Sequence, residues 1–443
     1  MIISELFVYQ NDTKEVADAV CQLLEETNVD LSVLEKPIIL EIDAELNQDV
    51  RVDPTACRIV GRTSQELFHG VTAYLLLASA KEIAHPVAHT AKIDERCVMI
   101  DIGRKFYSLN ALKALIRSMA WFQFTHLQLH FSENEGFRIE SDLFPEIVSE
   151  EHLKKKEIKA LIAYAKNYFI EIIPDLDSPG HLEQALKTHP EWQLPMASGE
   201  KDVHALNILN AEAVSFMKAL YEEYGDLFAE SAYFHIGGDE FIDFDALEKY
   251  PVLTEAAKER FGERASGIEV FIEYVNNMID HVASLGFTVR VWNDGFYRLN
   301  RDEQVSLSKE CQISYWTRWN PNMAPVSFFF ENGYQVINHN DNFFYYVLGE
   351  AAGYTYPTYE KIQETFQLTT FANNQTVDEK WLDQTPAIAL AIWADIPEAR
   401  TGRAVIEDVF WIQAAMIQKV YGIEQPKTTF APLYAAWQKG LMQ

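Results

Sequence analysis

Basic residues are scarce in this chain. Over 443 residues, 37 Lys and Arg face 66 Asp and Glu, a formal net charge of −29. A nucleic-acid binder needs a basic face to displace phosphate counterions, and no surplus exists here to build one. The same deficit disfavours an anionic membrane surface or a polyanion as the main partner. Cysteine is equally sparse. Cys21, Cys57, Cys97 and Cys311 lie far apart, with no CxxC pair and no metal-knuckle spacing. Neither a disulfide scaffold nor a redox dithiol is expected, and a reducing compartment is. Long apolar runs are missing too. The longest, Val71 to Ala80, falls well short of the ~20 residues that span a bilayer. The first residues, MIISELFVYQ, hold Glu5 inside an apolar run and lack a basic leader. They do not read as a secretory signal, and a cytoplasmic location is expected. No GxGxxG or GxxxxGK[ST] follows a strand-like run, so nucleotide binding has no support.

Aromatic and apolar residues are plentiful. With 27 Phe, 20 Tyr and 9 Trp, and 48% hydrophobic residues, the chain can bury a large core, which excludes global disorder. Most of the acidic excess reads as solvated surface. Length suggests two or three domains, or one large barrel with a smaller companion.

Residues 1–94 read as a small, non-catalytic α/β domain. Ile2 to Tyr9 and Pro37 to Ile42 are strand-like, and Thr13 to Glu26 has helical spacing. Thr63 with Glu66 three residues on predicts a capping box opening a helix. His85 to Lys92, with a proline and little periodicity, reads as a linker.

Residues 95–443 have a different texture. Eight short apolar runs alternate with helical stretches: Cys97–Gly103, His126–Phe131, Phe169–Asp177, Tyr233–Ile236, Thr288–Trp292, Gln312–Trp316, Tyr334–His339 and Ala387–Trp393. Helical spacing marks 109–122, 155–166, 211–224, 266–285 and 326–332, with a final helix over about 406–420. This alternation predicts a (β/α)8 TIM barrel with a C-terminal helix.

In such barrels chemistry gathers where strands run into their C-terminal loops. Arg104 follows the first run, Glu133 and Asn134 the second. Asp175, Asp177 and His181 end the third, and Asp239-Glu240 the fourth. Trp292 and Asp294 end the fifth, Trp316 the sixth. Asn338, Asp341 and Phe344-Tyr345-Tyr346 follow the seventh, and Trp393 and Asp395 the eighth. Indole and phenol faces cover the C–H patches of a sugar. Carboxylates and an arginine take its hydroxyls. The predicted ligand is therefore a neutral polyhydroxylated ring.

The sharpest local feature is HIGGDE, His235 to Glu240. Adjacent carboxylates raise one another's pKa, so one stays protonated near neutrality and can act as a general acid. Successive strand residues face opposite sides. Both acids can serve one site only if the chain leaves strand geometry, which Gly237 and Gly238 permit.

HIGGDE resembles the H-x-G-G-D-E signature of the family 20 glycoside hydrolases, the β-N-acetylhexosaminidases. Other stretches agree in order over roughly residues 95–425. DIGRKFY (Asp101–Tyr107) is similar to the family's first-strand D-x-x-R-x-F/Y. HFSENEGFR (His130–Arg138) resembles H-L-T-D-D-Q-G-W-R. IPDLDSPGH (Ile173–His181) resembles P-E-I-D-M-P-G-H, and Trp393-Ala-Asp395 stands at the family's W-x-E. Two positions depart from the pattern. Glu133 replaces the usual Asp, and Asp395 replaces Glu, which shortens the group expected on the sugar's outer hydroxyls and loosens the choice between gluco and galacto epimers. NHNDNFFYY offers both Tyr345 and Tyr346 as the seventh-strand tyrosine, and the resemblance is taken to place Tyr345 there.

The resemblance implies an exo-acting retaining β-N-acetylhexosaminidase that removes terminal β-linked GlcNAc, GalNAc or both. Family 20 uses the substrate's own acetamido group in place of an enzymic nucleophile. The implied catalytic residues are Glu240 as acid and base, Asp239 orienting the acetamido N–H, and Tyr345 donating to its carbonyl oxygen. Implied substrate contacts are Arg104 and Asp395 on hydroxyls, Trp292, Trp316 and Trp393 as walls, and His181 and Glu133 behind Glu240. Asp177 is placed in the shell behind these. No cofactor or metal is implied. The expected partner is a small carbohydrate, with the chain monomeric or homodimeric. The rival readings are a metal-dependent barrel hydrolase using His126, His130, His181, His204 or His235 with Asp239, and a non-catalytic sugar-binding protein. No HExxH is present, and His126 and His130 fall at opposite ends of one run.

Overall fold

A computed structural model describes residues 5–29, 34, 36–80 and 87–440. Near the N-terminus, β1 (Phe7–Val8), β2 (Ile38–Ile42), β3 (Val50–Asp53), β4 (Arg58–Gly61) and β5 (Val87–His89) form a sheet in the order β1-β2-β4-β3-β5. Helix Ser64–Ser79 packs on it. Thr63 caps that helix, its hydroxyl accepting from Glu66 N at 3.2 Å. The reciprocal half of the expected capping box is absent, because the Glu66 carboxylate turns to Arg62 at 2.5 Å. Of the run Ile2–Tyr9, only Phe7–Val8 is strand, and Ile2 to Ser4 lie outside the described residues. The linker reading of His85–Lys92 needs correction. His85 and Pro86 lie outside the described residues, but Val87–His89 pairs antiparallel with Val50–Val52. A three-residue edge strand is too short to show a period, and the unpaired rim of β3 supplies its hydrogen bonds.

The remaining strands are β6 (Glu95–Asp101), β7 (His126–His130), β8 (Glu171–Ser178), β9 (Gln193–Pro195), β10 (Lys201–Leu206), β11 (Tyr233–Gly237), β12 (Thr288–Trp292), β13 (Cys311–Tyr315), β14 (Gln335–Asn338), β15 (Tyr345–Val347), β16 (Thr370–Phe371), β17 (Gln375–Thr376) and β18 (Ala387–Trp393). Strands β6, β7, β8, β11, β12, β13 and β14 pair in parallel succession, and β18 joins both β6 and β14 to close an eight-stranded barrel. Each of the eight expected runs is a barrel strand. The pairs β9–β10 and β16–β17 are small antiparallel additions outside the barrel ladder.

The seventh strand has a feature that periodicity does not reveal. β14 meets β18 through a single pair, Asn338 with Ile388. One helical turn, Asp341–Phe344, then interrupts the ladder, and β15 resumes it by pairing Tyr345–Val347 with Ala391–Trp393. The chain thus returns to the sheet at the C-terminal rim, where a regular strand would already have left it.

The barrel interior is polar in two layers. At the bottom, Arg290 donates to both Glu95 oxygens at 2.8 and 2.6 Å and lies 3.8 Å over the Tyr233 ring. Both charges are buried, so the bidentate geometry offsets their desolvation. Above them, Asp175 Oδ2 accepts from Gln128 at 2.7 Å and lies 3.1 Å from His130 Nδ1. One apolar core runs from Leu6 to Trp437 and unites the two sheets. Trp121 of the barrel region reaches Thr27 of the N-terminal region at 3.3 Å. Among the described residues no helix is long and apolar enough to cross a membrane.

Candidate active site

A cavity of about 370 Å³ opens at the C-terminal mouth of the barrel, within the range of small-molecule sites. Eleven of the residues singled out in the sequence line it: Arg104, Glu133, His181, Asp239, Glu240, Trp292, Trp316, Asp341, Tyr345, Trp393 and Asp395. Asp177 does not. It lies buried beneath, against the backbone of Gly237.

The end of β11 brings the two acids together. Pairing with β8 slips between His235 and Gly237. Gly237 and Gly238 then take φ values of 76° and 91°, and Glu240 takes 42°. The chain therefore leaves strand alternation, and Asp239 and Glu240 both face the cavity. Gly237 is required twice over, by its left-handed backbone and by space. A Cβ there would sit 2.2 Å from Asp177 Oδ1. Gly237→Ala is expected to cost about 2–4 kcal/mol of stability, read as a lowered denaturant midpoint at unchanged m-value.

His181 links the acids to the wall behind them. Its Nδ1 lies 3.0 Å from Glu133 Oε2, and its Nε2 lies 3.4 Å from Asp239 Oδ2 and 3.5 Å from Glu240 Oε2. Burial opposes the imidazolium, but Glu133 and Asp239 outweigh it and raise the His181 pKa well above its usual value. Glu133 is held well below the carboxylate range despite its burial, by His181 and Arg104. Arg104 is clamped by Asp101 at 2.9 Å and Glu133 at 2.6 Å, with Glu135 at 3.6 Å. The longer Glu133 thus spans Arg104 and His181 with its two oxygens.

The cavity walls desolvate the Glu240 carboxyl and push its pKa above the ordinary range; His181 opposes this and Asp239 reinforces it. Asp395 is also raised by desolvation, against the pull of Arg104. Asp294, at the end of β12, is a residue that the sequence placed at a strand end without a role. Its Oδ2 accepts from Glu240 N at 3.1 Å and its Oδ1 from Trp316 Nε1 at 2.9 Å. Burial, then Asp239 and Glu240, push it up to about 7. It is a brace between the acid loop and an indole wall. The available signal was its place two residues after Trp292, on a strand end.

Aromatic rings close the cavity. Trp292 and Trp393 lie 5.9 Å apart, and Tyr345 stacks on Trp316 at 5.8 Å and 7°. Of the two candidate tyrosines, Tyr345 faces the cavity, and among the described residues its hydroxyl has no well-formed hydrogen bond, with the Trp393 indole beside it. Tyr346 points the other way, as strand alternation requires, and donates to Asp408 at 2.6 Å. Asp239 Oδ1, Trp292 Nε1 and Trp393 Nε1 are likewise buried without a protein partner among the described residues. Buried polar atoms are normally satisfied, so these four point to a ligand with both donors and acceptors. Tyr354, Trp319 and Asn373 also line the cavity and were not anticipated. They come from the segments after β13, β15 and β16, which carry no period.

The histidines of the metal reading are dispersed. His126 sits at the opposite end of β7 from His130, beside Glu95 and Glu171. His204 is exposed beside Glu183. Among the described residues, three buried groups bring ligand atoms close enough for a cation: His130-Glu133-Asp177, Asp175-Asp177-His235 and Asp177-His181-Asp239. All share Asp177. Its burial, then Asp239 nearby, raise its pKa well above the carboxylate range.

A closed parallel barrel whose mouth carries paired acids, an arginine and indole walls falls among the barrel carbohydrate hydrolases. More specifically, residues 95–417 match the family model described as glycosyl hydrolase family 20, catalytic domain, and the chain belongs to that family. It is 25% identical over 429 residues to a lacto-N-biosidase from Bifidobacterium bifidum, covering 94% of this chain and 37% of that relative. It is 26% identical over 274 residues to a beta-hexosaminidase from Vibrio furnissii, covering 54% and 42%. The chain thus spans less than half the length of these curated relatives. Among solved structures, its fold superposes on an exo-β-N-acetylglucosaminidase from Vibrio harveyi bound to N-acetylglucosamine. The TM-score is 0.75 at 18% identity, over 98% of this chain and 72% of that one. A Streptomyces plicatus beta-hexosaminidase matches at a TM-score of 0.72 and 17% identity, over 96% and 89%.

Proposed function

We propose that this protein is an exo-acting retaining β-N-acetylhexosaminidase that removes terminal β-linked GlcNAc, GalNAc or both by substrate-assisted catalysis. The observation that carries this reading is the convergence of Asp239 and Glu240 on one indole-walled cavity, with Asp239 Oδ1 and the Tyr345 hydroxyl unpaired among the described residues. Glu240 protonates the glycosidic oxygen as the C1–O bond breaks. The acetamido carbonyl oxygen forms the new bond to C1, giving an oxazolinium and the free aglycone. Asp239 accepts the acetamido N–H and stabilises its growing positive charge, while the Tyr345 hydroxyl donates to the carbonyl oxygen. Glu240, now ionised, takes a proton from water as that water attacks C1 and reopens the ring, with net retention. Arg104 and Asp395 hold the outer hydroxyls. His181, braced by Glu133, holds the two acids in place.

The test compares nitrophenyl β-glycosides of GlcNAc, GalNAc and glucose, with and without a thiazoline mimic of the oxazolinium. Cleavage of the acetamido sugars alone, blocked by the thiazoline, is the expected result; equal cleavage of the glucoside would overturn the mechanism. Activity should survive EDTA, which a metal hydrolase would not permit.

One observation favours a second reading for the outer end of the cavity. Asp395 is exposed, and the partners of Arg104 are Asp101, Glu133 and Glu135. The relative covering nearly the whole chain is a lacto-N-biosidase. A terminal sugar bearing a further residue on its outer hydroxyls would then fit, and a nitrophenyl lacto-N-bioside would be split faster than nitrophenyl GlcNAc.

A further inference from the structure

Five consecutive residues, Phe343 to Val347, are apolar or aromatic, and all five are buried. Strand faces are normally told apart by an alternation of apolar and polar side chains, and this run has none. Hydrophobicity alone does not say which of Tyr345 and Tyr346 faces the cavity. The backbone adds little hold. β15 makes three pairs with β18. A helical turn precedes it, and in the segment that follows Gly349, Glu350, Ala352 and Gly353 take φ values of 78°, 52°, 53° and 82°. Inside the cavity the Tyr345 ring stacks on Trp316 and lies 5.8 Å from Tyr354 and 6.0 Å from Trp393. Apolar burial of this kind is non-directional, so it holds the ring in the wall without aiming the hydroxyl.

On the opposite face of the strand the contacts are directional. The Tyr346 hydroxyl donates at 2.6 Å to Asp408 Oδ2, on the twenty-residue helix Gly402–Tyr421. Its ring stacks on Tyr356 at 4.5 Å and 22°. The Tyr356 hydroxyl accepts from Gly349 N at 2.9 Å, and Tyr356 N donates to Glu350 Oε1 at 3.1 Å. Arg400 Nε lies 3.6 Å from Asp408 Oδ2, and the Arg400 guanidinium lies 5.4 Å from the Tyr356 ring centre. One charge-assisted bond therefore ties β15 to a long helix, and the contacts around it tie the left-handed segment after β15 to the same place.

We propose that Tyr346 and Asp408 are positioning residues for the reaction. Their bond pins β15 so that the neighbouring Tyr345 hydroxyl is aimed at the acetamido carbonyl oxygen. This rests on the hexosaminidase reading and adds the pair that stands behind Tyr345. Neither Tyr346 nor Asp408 lines the cavity, so both act through Tyr345 and touch no substrate. Successive strand residues face opposite sides, and a pull on one therefore sets the direction of the other. Misplacing a group by ~1 Å at a reacting centre lowers the rate by up to ~100-fold, and a strand that loosens without leaving its sheet falls short of that.

The test is a double-mutant cycle on the full chain, with the β-linked GlcNAc disaccharide as substrate. Tyr346→Phe keeps the ring and its stack on Tyr356 and removes the bond to Asp408. It should lower kcat about tenfold and change KM less than about twofold. Asp408→Asn, whose amide oxygen still accepts from Tyr346, should recover most of the rate that Asp408→Ala loses. In a Tyr345→Phe background no hydroxyl is left to aim, and Tyr346→Phe should there lower kcat less than about twofold. A tenfold loss that persists in that background would overturn the positioning role, because Tyr346 would then act on the fold at large. So would a kcat for Tyr346→Phe equal to that of the unmutated protein. Failure of the unmutated protein to cleave both the disaccharide and nitrophenyl GlcNAc would refute the hexosaminidase reading itself, and the positioning role with it.

Discussion

Glu240→Gln should lower kcat on the GlcNAc disaccharide by at least ~100-fold, the usual worth of a positioned general acid. The amide keeps the shape and the φ of 42° at this position but cannot deliver a proton. The loss should therefore depend on the leaving group. An alkoxide needs protonation to depart, whereas a nitrophenolate departs nearly unaided, so the deficit should shrink on nitrophenyl GlcNAc. The pH profile supplies a second readout. The acid works only while protonated, so kcat/KM falls as pH rises through its pKa. Desolvation and Asp239 raise that pKa above the ordinary carboxylate range, against His181. The basic limb should accordingly lie above that range in the unmutated protein and disappear in Glu240→Gln. Near-normal turnover of the disaccharide by this variant would refute the assignment.

Asp239→Asn should cost at least ~100-fold as well, but with a different signature. Here the lost interaction is with the acetamido nitrogen, so the deficit should be the same for nitrophenyl and sugar aglycones. Affinity for the thiazoline should fall in parallel, because that mimic carries the ring whose nitrogen Asp239 would bind. An Asn can present its carbonyl oxygen to the acetamido N–H, yet it supplies no charge against the developing oxazolinium. The lost carboxylate also faces His181 Nε2 at 3.4 Å, which an amide nitrogen would repel. Thiazoline affinity retained at reduced kcat would mean that Asp239 acts on something other than the acetamido group.

Much of the site was legible in one dimension because barrel topology converts order into place. Each apolar run ends at the same rim, so residues hundreds of positions apart, such as Arg104 and Trp393, could be assigned to one mouth before any contact was known. The glycines of HIGGDE likewise announced a break in alternation, and φ values of 76° and 91° at Gly237 and Gly238 are that break. Periodicity failed where structure is short or stitched. Val87–His89 had too few residues to show a pattern, and β15 is a strand only because β18 offers its rim.

The sequence by itself determined the barrel, the order of its strands and the identity of the chemical groups at its mouth, because local hydrophobic period and chain order suffice for those. Tertiary structure alone decided which groups act together. It turned Tyr345 inward and Tyr346 towards Asp408, through the register of β15 on β18. It made Asp294 a brace between Glu240 and Trp316. Each of these depends on distances between segments far apart in the chain, and no local pattern encodes them.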